Sequence, residues 1–375
     1  LPWHAASVAI HAANTVLVFL LALRLCRSSL PSFMAAALFA WHGAHVEDVC
    51  WLAAVFDLLA TFFVLLVLVM VTQSRPRQAM IVASSALACL SKEAAYCLPL
   101  LVVCIALFVQ NPERRQILKR AIPVTIACAA VFFYRLWYLQ GFGGYRTASG
   151  GSIALTLRPL SVLQALALRI WAVLFIPLNW SQKPGAWRGI AAIAMLLSLA
   201  VIAMNRKWLS RPNLFPAILF VLLASLPALP LLLIGSDLAG ARVLYLPSVG
   251  FSLLWLLILN SLKNKPAALV LGSSTLLFQF AALRHNQQIW VQVAQSARQA
   301  CLDTARFQSQ NPRTALAVSG LPATLHGVFF FKNGFPQCVA LAARPNAVSQ
   351  EASNPPALVW NDATDRIEPR HSPPH

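Results

Sequence analysis

Charge is what this sequence has least of. Only 11% of its 375 residues are charged, against about 25% in soluble globular domains, and 11 Asp and Glu stand against 29 Lys and Arg. Beside 59% hydrophobic residues, that scarcity excludes an ordinary soluble globule. It predicts an all-α polytopic membrane protein, in which each backbone polar group is satisfied inside its own helix. No Gly-rich loop follows a strand-like run, so a nucleotide-sugar site of that kind is not expected. The formal net charge of +18 does not predict a nucleic-acid partner, because the basic residues sit in short loops between apolar runs and do not interleave with aromatics along a polar surface. The eight cysteines contain no CxxC pair. Cys26, Cys50, Cys89, Cys97, Cys104 and Cys128 lie in or beside apolar runs and read as small core residues, whereas Cys301 and Cys338 fall in a polar region that suits a disulfide. The opening LPWHAASVAIHAANTVLVFLL has no initiator Met, charged leader or small-residue cleavage site. It is not read as a signal peptide, and an upstream segment is expected.

A bilayer crossing takes about 20 apolar residues, fewer where flanking groups snorkel. Ten runs qualify: 5–23, 30–44, 53–71, 78–91, 94–109, 121–139, 189–204, 214–234, 246–262 and 266–283. Alternate loops hold Arg24 and Arg27, Arg75 and Arg77, the group Arg114, Arg115, Lys119 and Arg120, then Arg206, Lys207 and Arg211, and last Lys263 and Lys265. The positive-inside rule makes those loops cytoplasmic and places both ends of the chain, with segments 42–52, 91–93, 140–188, 235–245 and 284–375, on the outer face. The run 164–178, QALALRIWAVLFIPL, is short and basic and reads as an interfacial helix. From residue 285 the chain turns polar, and Ile289, Val293 and Ala297 at four-residue steps mark an amphipathic helix. GVFFFKNGFPQCVAL reads as a hairpin around Lys332-Asn333-Gly334, and the Pro-, Asn-, Ser- and Asp-rich stretch after Arg344 as disordered. The expected organisation is a transmembrane part at 1–284, a small outer-face tail at 285–343 and a disordered end at 344–375.

The ionisable residues gather where this topology puts the outer face. FAWHGAHVEDVCWLAAVFDLL carries His42, His45, Glu47, Asp48 and Asp57; SKEAAY carries Lys92 and Glu93; GFGGYR carries Tyr145 and Arg146; GSDLAGARVLYLPSVG carries Asp237, Arg242 and Tyr245. Ionisable groups near a bilayer are costly, and their convergence from separate spans points to a site. Each also has a plain structural reading. Glu93 beside Lys92 suits an interfacial ion pair, and Asp57 suits a helix-to-helix hydrogen bond. His42 and His45, three residues apart, suit either a shared metal or two polar interface histidines. Glu47, between Val46 and Val49, lacks an obvious structural purpose without a partner.

Three stretches, FAWHGAHVEDVCWLAAVFDLL, LSKEAAYCLPLLV and ARVLYLPSVGFSLL, occur in this order on the expected outer face. Together they resemble the type C glycosyltransferases, in particular bacterial relatives of protein O-mannosyltransferases and the transmembrane mannosyltransferases that carry tetratricopeptide repeats. In that group the first stretch commonly runs F-A-x-H-P-V-H-x-E-A-V-A-W, then D-L-L; the second S-K-E-x-x-x-x-x-P; the third R-Y-L-Y-L-P-S-V-G. The match spans most of 8–340. His42, His45, Glu47, Trp51 and Asp57 fit the first motif, Lys92 and Glu93 the second, Arg242, Tyr245 and Pro247 the third. Gly43 stands for the usual proline, Asp48 for alanine, Val55 for a frequent basic residue and Val243 for the first tyrosine. The family's catalytic acid lies in a first outer loop, which the resemblance places upstream of Leu1.

The resemblance implies transfer of a sugar from a polyprenyl-phosphate donor to a protein or glycan acceptor at the outer face, in a bacterial inner membrane with the site on the periplasmic side. It implies Glu47 and Asp57 as the catalytic carboxylates, Arg242, Lys92 and Tyr245 as donor-phosphate ligands, and His42, His45 and Glu93 in support. A divalent metal is compatible with this chemistry, which does not require one. A transporter or flippase of lipid-linked glycans is the alternative, and it predicts ionisable groups near the midplane with internal pseudo-symmetry.

Overall fold

The computed structural model describes residues 2–139, 159–183, 187–205, 214–231, 234–310, 318–331, 334–342, 358–361 and 365–369. Tyr145 and Arg146, the basic group Arg206, Lys207 and Arg211, and the turn residues Lys332 and Asn333 lie outside them. The chain forms two compact units, Leu1–Asn286 and Gln287–His375.

The first unit is helical: α1 (Pro2–Cys26), α2 (Ser29–Ala40), α3 (Val46–Cys50), α4 (Val55–Val71), α5 (Gln78–Ser91), α6 (Leu98–Ala106), α7 (Glu113–Leu139), α8 (Pro159–Gln164), α9 (Ile170–Phe175), α10 (Trp187–Asn205), α11 (Phe215–Ser225), α12 (Pro247–Ser261) and the start of α13 (Lys265–Gln310). Local chemistry sets the ends. Arg27, at φ 52, closes α1 with a left-handed residue whose N–H returns to Leu23 O at 2.8 Å. Pro lies in the first turn of α6, α11 and α12, where its missing N–H costs nothing. Helices α1, α2, α4 and α12 pack together, as do α5, α6 and α7, around buried Phe39, Leu58, Leu65, Leu68, Phe220 and Phe251. A Cβ on Gly250 would stand 2.7 Å from the Phe220 ring, so the α11–α12 crossing needs glycine there.

Helix occupies much of every stretch read as a span, yet among the described residues only Pro2–Cys26, Leu52–Val71, Glu113–Leu139 and Lys265–Gln310 are long and apolar enough to cross a membrane by length and composition. Shorter apolar helices, among them Gln78–Ser91, Glu93–Ala106 and Pro247–Ser261, supply the rest. The apolar helices mark a membrane protein; their lengths do not establish ten crossings. One cause of the shortness is shared by all three sequence motifs. Each falls where a helix is interrupted by a 3₁₀ turn: Gly43–His45 and Leu52–Ala54 around α3, Glu93–Cys97 before α6, and Ala241–Leu244 before α12. Non-helical backbone at membrane depth is tolerated where protein surrounds it, and the first and last of these turns carry buried residues throughout or nearly so.

Two boundaries differ from expectation. Helix α13 runs unbroken for 46 residues and joins the last apolar run to the amphipathic segment, since no proline or glycine interrupts ALRHNQQIW. The run 164–178 forms a π-type turn, Ala165–Arg169, then α9, with Ala165, Ile170, Val173 and Leu174 buried along one face.

In the second unit, strands β1 (Val318–Ser319), β2 (Thr324–Leu325), β3 (Val328–Phe329), β4 (Leu358–Asn361) and β5 (Arg366–Pro369) accompany α14 (Phe335–Ala342). The sheet order is β1-β4-β5, with β1 parallel to β4 and β5 antiparallel to it. Leu358, Trp360 and Ile367 pack on Ala300. The expected hairpin around 332–334 is corrected. The hairpin is β2–β3, whose turn residues His326 and Gly327 both have positive φ, as a two-residue turn demands; the apolar run after Gly334 is helix α14, and Cys338 on it forms a disulfide with Cys301. The stretch after 344, expected to be disordered, contributes β4 and β5, because alternation in LVWN buries Leu358 and Trp360.

Candidate functional site

Glu47 and Arg242, 195 residues apart, meet in the interior. Arg242 Nη1 donates to Glu47 Oε1 at 2.8 Å, and the Arg242 backbone N–H donates to Oε2 at 3.3 Å. The guanidinium carbon lies 4.2 Å from the centre of the Trp51 ring, a cation–π contact. Glu47 is 4% and Arg242 8% exposed. The 3₁₀ turn before α12 presents both the side chain and, from its first residues, the backbone N–H of Arg242 to Glu47. Burial pushes the Glu47 carboxyl up to about 7 against the opposing pull of Arg242.

A second pair lies alongside. Lys92 Nζ donates to Asp57 Oδ2 at 2.7 Å, Asp57 buried in the first turn of α4 and Lys92 partly exposed in extended backbone between α5 and the following 3₁₀ turn. Asp48, within electrostatic reach of both pairs, is fully buried, and among the described residues its two carboxylate oxygens have no hydrogen-bond partner. Burial first, then Asp57 and Glu47, push its carboxyl well above the ordinary range, with Arg242 and Lys92 opposing.

Glu93 pairs outward with Arg135 of α7. Lys92, Glu93 and Arg135 line a cavity of about 420 Å³ together with Ser91, Phe56, Leu90, Tyr138 and Leu139. A lining that combines the cationic Lys92 and Arg135 with the exposed apolar Phe56, Leu90 and Leu139 suits an amphiphile with an anionic head.

The remaining predicted residues are elsewhere. Tyr245 is 1% exposed and points away from the cavity set, its hydroxyl 2.7 Å from His11 Nδ1 and 3.2 Å from Asn14 Nδ2. His42 is consumed locally, Nε2 on Leu174 O at 3.0 Å and Nδ1 accepting from the Ala44 N–H. His45 Nε2 meets Ser248 Oγ at 2.9 Å. The two rings are 5.1 Å apart and use their nitrogens on different partners, and among the described residues no three His, Cys, Asp or Glu side chains converge to hold a metal ion. His42 and His45 therefore do not fit a shared metal.

Sequence reading missed five participants. His11 and Asn14, three residues apart in α1, are polar residues inside an apolar run, and that was the available signal. Arg135 was hidden among aromatics. Asn286 and Gln279 of α13 hold the His42 turn: Asn286 Nδ2 donates to Gly43 O at 2.8 Å and Pro177 O at 2.7 Å, and the Gly43 N–H reaches Gln279 Oε1 at 3.3 Å. A Cβ on Gly43 would lie 2.8 Å from Pro177 O. That contact, with the donated N–H, explains glycine where the resembled motif has proline.

No family model matches the chain, and no solved structure matches it. Over 203 residues it is 28% identical to "Protein O-mannosyl-transferase TMTC1" of Mus musculus, a stretch that is 47% of this chain and 21% of the mouse protein. The match thus spans about a fifth of that relative's length. The chain is similar, over that stretch, to a protein named as a mannosyltransferase.

Proposed function

We propose that the protein is an integral membrane glycosyltransferase that moves a sugar from a polyprenyl-phosphate donor to a protein or glycolipid acceptor at the outer face, in a bacterial inner membrane with the site on the periplasmic side. The observation that carries this reading is the joining of Glu47 to Arg242 beside Asp57 and Lys92, four residues from three separate motifs. Similarity to a protein named as an O-mannosyl-transferase supports it, and a disulfide in the second unit agrees with an oxidising compartment.

In the transfer, the bond between the sugar's anomeric carbon and the phosphate oxygen breaks, the electron pair leaves with the polyprenyl phosphate, and the acceptor oxygen bonds that carbon while losing its proton to a carboxylate. The leaving phosphate needs a fixed cation. Lys92, at the cavity wall and partly exposed, is the first candidate, with Arg135 close by. Arg242, enclosed by Glu47 and Trp51, supports the charge from behind. Asp57, bonded to Lys92 of the cavity wall, takes the proton in this reading, while Glu93, which lines the opening, is paired with Arg135. Tyr245 is not among the donor ligands in this reading, because its hydroxyl is buried and engaged.

The test uses the full-length protein in phospholipid vesicles with radiolabelled polyprenyl-phosphate mannose and a peptide acceptor. Wild type transfers label to the acceptor, and Lys92→Ala loses at least about 100-fold in turnover, the scale of a lost charge-stabilising group. Label that crosses the bilayer and never reaches an acceptor establishes the flippase instead.

A further inference from the structure

Behind the Glu47–Arg242 pair lies a set of buried hydrogen bonds that ties three helices to the turn bearing Arg242. His11 Nε2 lies 3.1 Å from Ala40 O, a carbonyl that only accepts, so Nε2 carries the hydrogen. In the neutral ring Nδ1 then accepts, and the Tyr245 hydroxyl donates to it across 2.7 Å. The same oxygen accepts from Asn14 Nδ2 at 3.2 Å, and Asn14 also donates to Leu58 O at 3.0 Å. Leu58 follows Asp57 directly, and Tyr245 ends the turn three residues after Arg242. Ser248 completes the bracing, donating to Tyr245 O at 2.6 Å and meeting His45 at 2.9 Å. Asn14 is 0% and Tyr245 1% exposed.

We infer that His11 and Asn14, acting through the Tyr245 hydroxyl, are positioning residues that set the turn of Arg242 against Glu47 and in register with Asp57. The inference rests on the glycosyltransferase reading for its kinetic consequence, but not for its geometry. The 3₁₀ turn at 241–244 is a single short turn, with Val243 N–H donating to Gly240 O at 3.3 Å and Tyr245 N–H to Arg242 O at 3.0 Å, and so short a piece gains from side-chain bracing. Tyr245 occupies its end and carries the only side chain of the turn region seen bonded to α1 among the described residues. Buried bonds of this kind, once one partner is removed, leave the other unsatisfied, and that asymmetry gives a small network large leverage over a neighbouring charge.

The test is Tyr245→Phe in the full-length protein, which removes one oxygen and keeps the ring. Turnover is expected to fall about 10- to 100-fold, the range of one buried bond to a working group, while donor KM stays within about twofold, since Tyr245 touches no donor. In an Arg242→Lys background the same change is expected to add nothing, because the group it positions is already altered. His11→Leu should repeat the loss and His11→Gln should restore part of it, as the amide supplies both an acceptor and a donor. A second readout is independent of catalysis: phenylglyoxal modification of Arg242, followed by peptide mass mapping, should speed up about tenfold in Tyr245→Phe. Wild-type turnover together with unchanged Arg242 reactivity in Tyr245→Phe, or an equal loss of turnover in both backgrounds, overturns the inference. If no variant including wild type transfers sugar but the Arg242 reactivity rises, the glycosyltransferase reading fails and the positioning of the turn stands.

Discussion

Two ion pairs of one cluster illustrate what surroundings do to the same chemistry. Glu47–Arg242 has side chains 5% and 9% exposed; Glu93–Arg135 has side chains 42% and 23% exposed. Both are carboxylate–guanidinium pairs. In the first, each charge is committed to its partner because water is excluded, and losing either leaves an uncompensated buried ion. In the second, water and headgroups replace a lost partner cheaply. Lys92–Asp57, at 29% and 8%, stands between them. A graded series from sealed to open is what a site needs if it must hold charge rigidly inside and exchange ligands at its mouth.

The largest effect expected on breaking this comparison is Arg242→Ala. It should destabilise by about 3–5 kcal/mol and abolish turnover, whereas the double change Glu47→Gln with Arg242→Met should restore most of the stability and none of the turnover; thermal unfolding in detergent beside the transfer assay reads both. Next is Lys92→Ala, in which turnover collapses and stability falls by about 1–3 kcal/mol, since the buried Asp57 carboxyl loses its partner.

Acidity sharpens the contrast further. Glu47 titrates near 7 when folded and 4.5 as its ordinary value, so between those limits the folded state holds a proton the unfolded chain has released. Its contribution to stability is full below about pH 4.5 and declines as pH rises to about 7. A plot of unfolding temperature against pH should slope down across that window in wild type, and Glu47→Gln should flatten it.

Asp48→Asn follows, with an expected change of about 0.5 kcal/mol or less, because burial and the neighbouring Asp57 and Glu47 disfavour the charged carboxylate and the amide has nearly the same shape. A loss of several kcal/mol would show instead that Asp48 is ionised. Comparably small is Glu93→Gln, below about 1 kcal/mol by chemical denaturation; a larger effect would erase the distinction between the sealed and open pairs.

Much of this was legible before any coordinates. The apolar runs put helix where helix is found, since a segment surrounded by hydrocarbon has to satisfy its own backbone, and the scarcity of acids made Glu47 and Asp57 conspicuous. Cys301 and Cys338 stood out for the same reason, as the pair away from the apolar runs. Other features were not legible. The hairpin was placed at Lys332-Asn333-Gly334 because Asn-Gly is a strong turn signal, yet His326-Gly327 forms it. The stretch after Arg344 has a disordered composition overall, with two short strands inside it that find a sheet only through Val318 and Ser319.

By itself the sequence determined that this is a helical membrane protein, and that three polar motifs interrupt its apolar runs. Both follow from local chemistry: the period and length of apolar segments, and the cost of charge near lipid. Only the tertiary structure decided which acid meets which base. That Glu47 bonds Arg242 and not Lys92, that Tyr245 turns to His11 and Asn14 and not to the cavity, and that His42 and His45 spend their nitrogens on separate partners depends on contacts between residues up to 234 apart. Such pairings are set by how α1, α2, α4 and α12 pack, and a linear pattern has no term for the distance between two helices once they are folded.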